Sequence, residues 1–88
     1  MNNNLVFRSK GWEDYLYWQT GDRKTLKRVN QLLQDIDRNG HDGIGKPEAL
    51  KHDFQGWWSR RIDDEHRLVY RIEGNTILVA SCRFHYYK

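Results

Sequence analysis

The stretch WSRRIDDEHRLVYRIEGNTILVASCRF, residues 58–84, decides the fold, because large apolar side chains alternate with polar ones along it. A period of two is typical of strands that bury one face. The interruptions DDE, at 63–65, and EGN, at 73–75, predict turns between three antiparallel strands, of which the last covers residues 76–85. The stretch therefore predicts a β-meander near the end of the chain.

A three-residue turn at each interruption sets the predicted register. The resulting pairs are Ile62–His66, Arg61–Arg67, Ile72–Thr76, Tyr70–Leu78, Leu68–Ala80 and Arg67–Ser81. The face predicted to be buried collects Trp58, Ile62, Leu68, Tyr70, Ile72, Leu78, Ala80, Cys82 and Phe84. The opposite face collects Trp57, Arg61, Arg67, Arg71, Ser81, Arg83 and His85.

The amino-terminal half predicts one strand and two helices. An apolar run at residues 5–7 predicts the strand, and residues 9–11 are interpreted as a break after it. Helical spacing follows from Trp12 to Gln19, and a second helix, with Asp22 as its N-cap, has an apolar face of Leu26, Val29, Leu33 and Ile36. Residues 38–48 are predicted to form a long loop. The order predicts an α+β fold, with an N-terminal strand and a two-helix hairpin on one face of an antiparallel β-sheet.

Length and composition restrict the class of protein. Eighty-eight residues, 1–88, are predicted to form a single domain, since so short a chain supplies only one core. The single cysteine, Cys82, cannot form an internal disulfide and is predicted to be a small core residue in a cytoplasmic protein. No apolar run is long enough to predict a membrane span. The net charge of +3 fits nucleic acid, an acidic partner or an ordinary solvated surface.

The opposite face of the sheet, here called the predicted arginine face, holds Arg61, Arg67, Arg71 and Arg83 and favours an anionic partner. Like charges directly opposite each other in a sheet are destabilising, which favours an anion among them. Because the guanidinium fork matches phosphate oxygens, a phosphodiester is the leading candidate. The alternative is that the neighbouring carboxylates neutralise these arginines as surface pairs of little energetic weight. Those carboxylates are Asp63, Asp64, Glu65 and Glu73.

RNA can be cleaved without a metal if a base takes the 2′-hydroxyl proton, an acid protonates the leaving oxygen and cations stabilise the phosphorane. His85 is the candidate acid, since imidazole titrates near neutrality, and Glu48 is the candidate base. Lys51 follows Glu48 by three residues. A surface histidine and a solvated loop carboxylate are the alternatives for these two positions. Tyr86 is a candidate for stacking on a base or donating to phosphate.

Metal chemistry is not predicted. The pairs His41–Asp42 and His52–Asp53 lack the spacing of a zinc or two-metal site, so they are interpreted as polar loop residues. No cofactor is predicted either.

Four segments bear a family resemblance. DYLYW at 14–18, GKPEALKH at 45–52, WSRRIDDEHRLVY at 58–70 and CRFHYY at 82–87 resemble the YoeB toxins of the RelE superfamily. The resemblance covers nearly the whole chain from Phe7 to Tyr86. It implies the RelE-like fold, related to that of microbial ribonucleases, and a type II toxin held inactive by a YefM-type antitoxin.

The resemblance also implies site residues. The catalytic glutamate of the family falls on Glu48, its lysine on Lys51 and its two arginines on Arg61 and Arg67. The terminal histidine and tyrosine fall on His85 and Tyr86. In the family the glutamate is the base and the histidine the acid. We therefore predict Glu48, Arg67, His85 and Tyr86 as catalytic residues and Lys51, Arg61 and Arg83 as contacts to RNA phosphates.

The implied function is a ribosome-dependent, metal-independent endoribonuclease that cleaves mRNA in the ribosomal A site and inhibits translation. A non-catalytic basic domain that blocks translation by occupying RNA or the ribosome is the alternative, and such a domain would not need Glu48 and His85. The implied partners are the YefM-type antitoxin, the 70S ribosome with mRNA, and a second copy in a homodimer. Operator DNA would be bound only through the antitoxin.

Overall fold

Two helices pack on one face of a five-stranded sheet in this computed structural model, which describes residues 2–84. The helices are α1 (Ser9–Thr20) and α2 (Arg23–Asn39). The strands are β1 (Asn4–Phe7), β2 (Glu48–Ala49), β3 (Trp58–Arg61), β4 (Arg67–Glu73) and β5 (Thr76–Ser81). A short 3₁₀ helix, His52–Phe54, lies between β2 and β3. The predicted α+β class is confirmed.

The sheet is mixed, whereas the prediction was an antiparallel sheet. Its strand order is β1-β5-β4-β3-β2, and β1 runs parallel to β5 with Asn4 opposite Thr76 and Phe7 opposite Val79. β2, β3, β4 and β5 pair antiparallel in chain order, and the parallel pairing comes from β1, which the two helices separate from them in the sequence. This pairing joins segments near the two ends of the sequence, so no local sequence pattern predicts its direction.

The first turn of the meander has the predicted register. Arg61 pairs with Arg67, and the Ile62 amide donates to the His66 carbonyl over 3.0 Å. The Asp63 side chain closes this turn by accepting from the amides of Glu65 and His66, at 2.8 and 2.7 Å. A short acidic side chain that bonds amides two and three residues ahead fixes the length of the loop.

The predicted register of the second turn is wrong by one residue. Glu73 pairs with Thr76 and Tyr70 with Val79, so only two residues form the turn. Gly74 begins it with φ of +59°, a conformation that suits tight hairpins. Ile77 and Val79 are therefore buried instead of the predicted pair, Leu78 and Ala80.

A bulge in β5 then returns the residues after it to the faces of the sheet that the sequence predicted. Tyr70 lies opposite Val79 but Val69 lies opposite Ser81, which leaves Ala80 as the extra residue. Cys82 is consequently buried, as predicted, and burial raises the pKa of its thiol to about 12. The predicted third strand ends at Ser81 rather than at residue 85. Phe84, predicted to be buried, is 39% exposed, because a φ of +62° turns the chain away from the core there.

The core lies between the helices and the sheet. Asp22 caps α2 as predicted, accepting from the amides of Lys24 and Thr25 at 3.1 Å each. Side chains from both layers form the core: Trp18, Val29, Leu32, Leu33, Ile36, Ile62, Leu68, Tyr70, Ile77, Val79 and Cys82. Within residues 2–84, no helix is long and apolar enough to cross a membrane.

α1 begins earlier than predicted and lies unusually close to β5. Residues 9–11, interpreted as a break, form its first turn. A Cβ at Gly11 would lie 2.6 Å from the Val79 carbonyl oxygen, so glycine permits this approach. Trp18 Nε1 donates to the Cys82 carbonyl over 2.7 Å, and the buried Asp14 carboxylate accepts from the Cys82 amide over 3.0 Å. α1 thereby fixes the chain where it leaves β5.

Candidate functional site

The face of the sheet opposite the helices, the helix-free face, carries the candidate site. Since Ile62, Leu68 and Tyr70 contact the helices, alternation directs their neighbours to the other side. The helix-free face thus includes Ser59, Arg61, Arg67, Val69 and Arg71. Much of the predicted arginine face is present there.

Glu48 and Arg67 meet on this face. Glu48 lies in the short edge strand β2, opposite Ser59 of β3, and not in a loop as the sequence predicted. Arg67 Nη2 lies 3.3 Å from Glu48 Oε1, and Arg67 Nε donates to Ser59 Oγ over 3.0 Å. The serine therefore holds the guanidinium at Nε while Nη2 contacts the carboxylate. We call this pair the Glu48–Arg67 site.

Exposure differs between the two partners. The Arg67 side chain is 14% exposed and that of Glu48 is 58% exposed. The carboxylate is thus accessible to a ligand, while the cation beside it is held in the surface. A partly buried cation is less screened by solvent and acts more strongly on a bound anion.

Arg61 and Lys51 lie around this pair. Arg61 is directly opposite Arg67 across the β3–β4 ladder and is exposed. Together with Lys46, Pro47, Glu48 and Arg67 it lines a groove of about 410 Å³. Lys51 lines an adjacent groove of about 430 Å³, which also includes Glu48. Glu48 therefore lies where the two grooves meet.

The predicted catalytic residues His85 and Tyr86 lie outside the described residues. The described chain ends beside the site, however, because the Phe84 carbonyl accepts from the Arg67 amide over 3.1 Å. The Phe84 amide in turn donates to His66 Nδ1 over 2.7 Å. These two bonds hold residue 84 against Arg67, the first residue of β4, and against His66 before it.

Arg83 does not join the other arginines. Its Cζ lies 3.5 Å from the ring centroid of Tyr17 in α1 and 4.4 Å from that of Phe84. The prediction that Arg83 shares a face with Arg61 and Arg67 is therefore wrong. Strict alternation fails here because β5 has already ended at Ser81 and the chain bends at Phe84.

The sequence reasoning missed Arg60, whose side chain is fully buried on the core face of β3. Its Nε donates to the Tyr70 hydroxyl over 3.2 Å, and Nη1 forms a salt bridge with Asp35 of α2. The remaining bonds go to loop carbonyls: Ile44 at 3.0 Å, Gly40 at 2.6 Å and Asp42 at 2.9 Å. An arginine between Trp58 and Ile62 on an apolar face was the available signal.

Arg60 organises the loop that leads to Glu48. Burial alone would raise the pKa of Asp35, but hydrogen bonds from Arg60, the Ile44 amide and Asn39 together lower it. His41, in the same loop, stacks on Trp58 with ring centroids 4.0 Å apart. Burial, with a smaller contribution from the Arg60 charge, lowers the pKa of His41. The Arg61 amide donates to the Gly45 carbonyl over 2.7 Å, which holds the loop against β3 just before β2 begins.

Three or more His, Cys, Asp or Glu side chains do not come close enough to hold a metal ion anywhere in residues 2–84. Of the two His–Asp pairs, both interpreted as polar loop residues, His41–Asp42 lies in the loop before β2, whereas His52–Asp53 lies in the 3₁₀ helix. His41 has the structural contact with Trp58 described above.

Known proteins are similar to this chain in both sequence and fold. Residues 7–86 match the family model for the YoeB-like toxin of bacterial type II toxin-antitoxin systems. The toxin YoeB of Escherichia coli K12 is 49% identical over 82 residues, 93% of this chain and 98% of that protein. The YoeB dimer structure from Staphylococcus aureus superposes with a TM-score of 0.91 at 50% identity, covering 98% of this chain and 100% of that one.

A second similar structure also contains another protein. It is the heterotetrameric YoeB–YefM toxin-antitoxin complex from Staphylococcus aureus. Its matching chain has a TM-score of 0.90 and 50% identity, with 98% of this chain and 100% of that one covered.

Proposed function

The chain belongs to the family of YoeB-like toxins of bacterial type II toxin-antitoxin systems, and we propose that it is a metal-independent endoribonuclease that cleaves mRNA in the ribosomal A site and so inhibits translation. The observation that carries the proposal is the Glu48–Arg67 contact of 3.3 Å. An accessible carboxylate and a fixed guanidinium lie side by side at the junction of two grooves lined by further cations.

The proposed reaction begins with proton transfer from the 2′-hydroxyl of the RNA to Glu48. The 2′-oxygen then attacks the adjacent phosphorus, and the bond from phosphorus to the 5′-oxygen of the next nucleotide breaks. That leaving oxygen takes a proton from His85. The products are a 2′,3′-cyclic phosphate and a 5′-hydroxyl, so protons and bonds balance without a metal or other cofactor.

Arg67 is the proposed stabiliser of the phosphorane. Of its five N–H donors, one bonds Ser59 and one contacts Glu48, so three have no partner among residues 2–84. Donors fixed before the reaction stabilise the charge that develops in the transition state, and each contributes about 10²- to 10³-fold in rate. Arg61 and Lys51, which line the two grooves, are proposed to contact phosphates on either side.

His85 and Tyr86 are proposed as the proton donor and a contact to RNA. The supporting observation is that the Phe84 carbonyl accepts from the Arg67 amide, and His85 is the next residue in the sequence. Arg83 is left out of the proposed phosphate contacts, since its guanidinium lies over Tyr17.

The proposed partners follow from the similar structures. A YefM-type antitoxin is proposed to hold the chain inactive, and a second copy to form a homodimer, as the YoeB–YefM complex and the YoeB dimer suggest. Operator DNA is proposed to be bound only through the antitoxin. Since the proposed substrate is mRNA on the ribosome, the proposed place of action is the cytoplasm.

The test is a cleavage assay on ribosomes programmed with a defined mRNA, with new ends mapped by primer extension. Glu48→Gln and His85→Gln are each expected to lower the cleavage rate by about 10²- to 10⁴-fold. Glu13→Gln, an exposed acid of α1, is the matched control and is expected to cleave as the parent does. A chelator that removes transition metals but spares Mg²⁺ is expected to leave the rate unchanged.

The contrary result would be inhibition of translation with intact mRNA, equally strong in the parent, Glu48→Gln and His85→Gln. The chain would then act by occupying RNA or the ribosome, and the Glu48–Arg67 site would be a docking contact.

A further inference from the structure

Two arginines from distant parts of the chain converge on one indole ring. Cζ of Arg8, just after β1, lies 5.6 Å from the ring centroid of Trp57, and Cζ of Arg71, in β4, lies 5.8 Å from it. Trp57 precedes β3 and is half-buried, and Arg8 is exposed. We call these three residues the Trp57 cluster. The proposed reaction uses none of them.

The cluster carries an excess of positive charge. Arg71 Nε lies 2.8 Å from Glu73 Oε2, whereas Arg8 pairs with no carboxylate within residues 2–84. Two guanidinium groups are thus accompanied by one paired carboxylate, that of Glu73. Cation–π attraction draws both of them to the ring, and a bound anion would neutralise the excess positive charge there.

The position of the cluster relates it to the Glu48–Arg67 site. Arg71 and Arg67 both project from β4 onto the helix-free face, four residues apart. At about 3.3 Å per residue this separation is about 13 Å, which a few nucleotides of one RNA strand would span. A basic surface next to an aromatic ring is also the usual composition of a site that tracks single-stranded RNA.

We propose that the Trp57 cluster is a second RNA-contact site, in which Arg8 and Arg71 bind a backbone phosphate of the substrate strand a few nucleotides from the cleaved bond. Trp57 contacts both guanidinium groups. This inference rests on the proposed function, because it takes the same mRNA strand as the ligand. It adds a length requirement, since only RNA that extends beyond the cleaved bond reaches the cluster.

The test measures binding rather than cleavage, in a Glu48→Gln background so that RNA is not consumed. The probe is a fluorescent single-stranded oligoribonucleotide long enough to span both sites, titrated at several KCl concentrations. Arg8→Gln/Arg71→Gln is expected to weaken binding several-fold. It is also expected to reduce the slope of log affinity against log salt by about 0.7, the value for one phosphate contact on a single strand.

A matched control removes the same charge from the other side of the molecule. Arg23→Gln/Lys27→Gln, both exposed on α2, is expected to leave the salt slope at the parent value. Trp57→Leu is expected to show part of the loss, whereas Trp57→Phe, which keeps an aromatic face, retains most of the affinity. Circular dichroism melts of each variant check that the fold is unchanged. A base-paired RNA hairpin with the same number of phosphates distinguishes a substrate strand from structured RNA.

Equal salt slopes for the Arg8/Arg71 and Arg23/Lys27 double variants would overturn the inference, and so would a loss seen only with the hairpin. If the parent did not bind the oligonucleotide yet the wild-type chain cleaved ribosome-bound mRNA, the inference would fall and the proposed function would stand. If the wild-type chain did not cleave but binding depended on Arg8 and Arg71, the proposed reaction would fall and the contact site would stand.

Discussion

Arg60 and Arg67 lie in neighbouring strands but on opposite faces of the sheet, and their surroundings differ. Arg60 is fully buried, and all five of its N–H donors have acceptors: Tyr70, Asp35, Ile44, Gly40 and Asp42. The Arg67 guanidinium has two partners among residues 2–84, Ser59 and Glu48. A guanidinium whose donors are all occupied can only support structure, whereas one with open donors can bind a substrate anion. Arg60 therefore helps to build the site, whereas Arg67 is proposed to act in it.

Replacing Arg60 tests the buried side and carries the largest expected effect. Arg60→Met removes the partner of Asp35 and leaves three loop carbonyls without a donor, so we expect a loss of about 3–5 kcal/mol in the free energy of unfolding. Urea denaturation measures it. Arg60→Met/Asp35→Leu, which removes both charges, is expected to recover part of the loss. Full stability of Arg60→Met alone would contradict the structural role.

Replacing Arg67 tests the opposite side. Arg67→Gln is expected to lower cleavage of ribosome-bound mRNA by about 10²- to 10³-fold, because a fixed donor to the phosphorane is lost. The free energy of unfolding is expected to change little, since the exposed partner Glu48 remains hydrated. Single-turnover cleavage and urea denaturation on the same preparation check both. A large stability loss with normal cleavage would reverse the roles of the two faces.

Gly11 offers a steric test on the helical face. Gly11→Ala places a Cβ 2.6 Å from the Val79 carbonyl oxygen, and α1 or β5 must shift to admit it. We expect a loss of about 1–3 kcal/mol in the free energy of unfolding, typical of overpacking. Thermal and urea denaturation measure it. An unchanged or higher stability would show that α1 does not approach β5 this closely.

His41 provides the smallest expected effect, a dependence of stability on pH. Its pKa is lowered in the folded chain, mainly by burial, so between that value and the ordinary value near 6.5 the unfolded chain binds more protons. Stability is therefore expected to decrease as the pH falls through this window. Denaturation of the wild-type chain and His41→Gln over a series of pH values isolates the contribution. Parallel profiles would contradict it.

The sequence predicted local features of the fold better than distant ones. The DDE turn was correct because Asp63 fixes its length through bonds to the next residues. The predicted EGN turn was one residue too long, because Gly74 at positive φ allows a two-residue turn. The bulge at Ala80 then returns Ser81 and Cys82 to the faces of the sheet that the sequence predicted. The parallel pairing of β1 with β5 joins distant segments, which periodicity does not report.

In the candidate site, too, local arrangements were predicted and contacts between distant segments were not. The sequence correctly predicted Arg61 opposite Arg67, because side-chain alternation and the length of one short turn are enough to predict that pair. It placed Glu48 in a loop, because a two-residue edge strand has no periodicity. It also passed over Arg60, whose acceptors come from α2, the loop after it and β4, and no local pattern brings these together.

The proposed reaction depends on attack of a 2′-hydroxyl, with Glu48 as its base, on the neighbouring phosphorus at the helix-free face. The most direct measurement uses ribosomes programmed with an mRNA in which the nucleotide 5′ to the mapped cut carries a single 2′-deoxyribose. We predict that the wild-type chain leaves this bond intact, while the all-ribose mRNA yields a fragment ending in a 2′,3′-cyclic phosphate. Cleavage at the deoxyribose position would contradict the account, because no attacking hydroxyl would be present there.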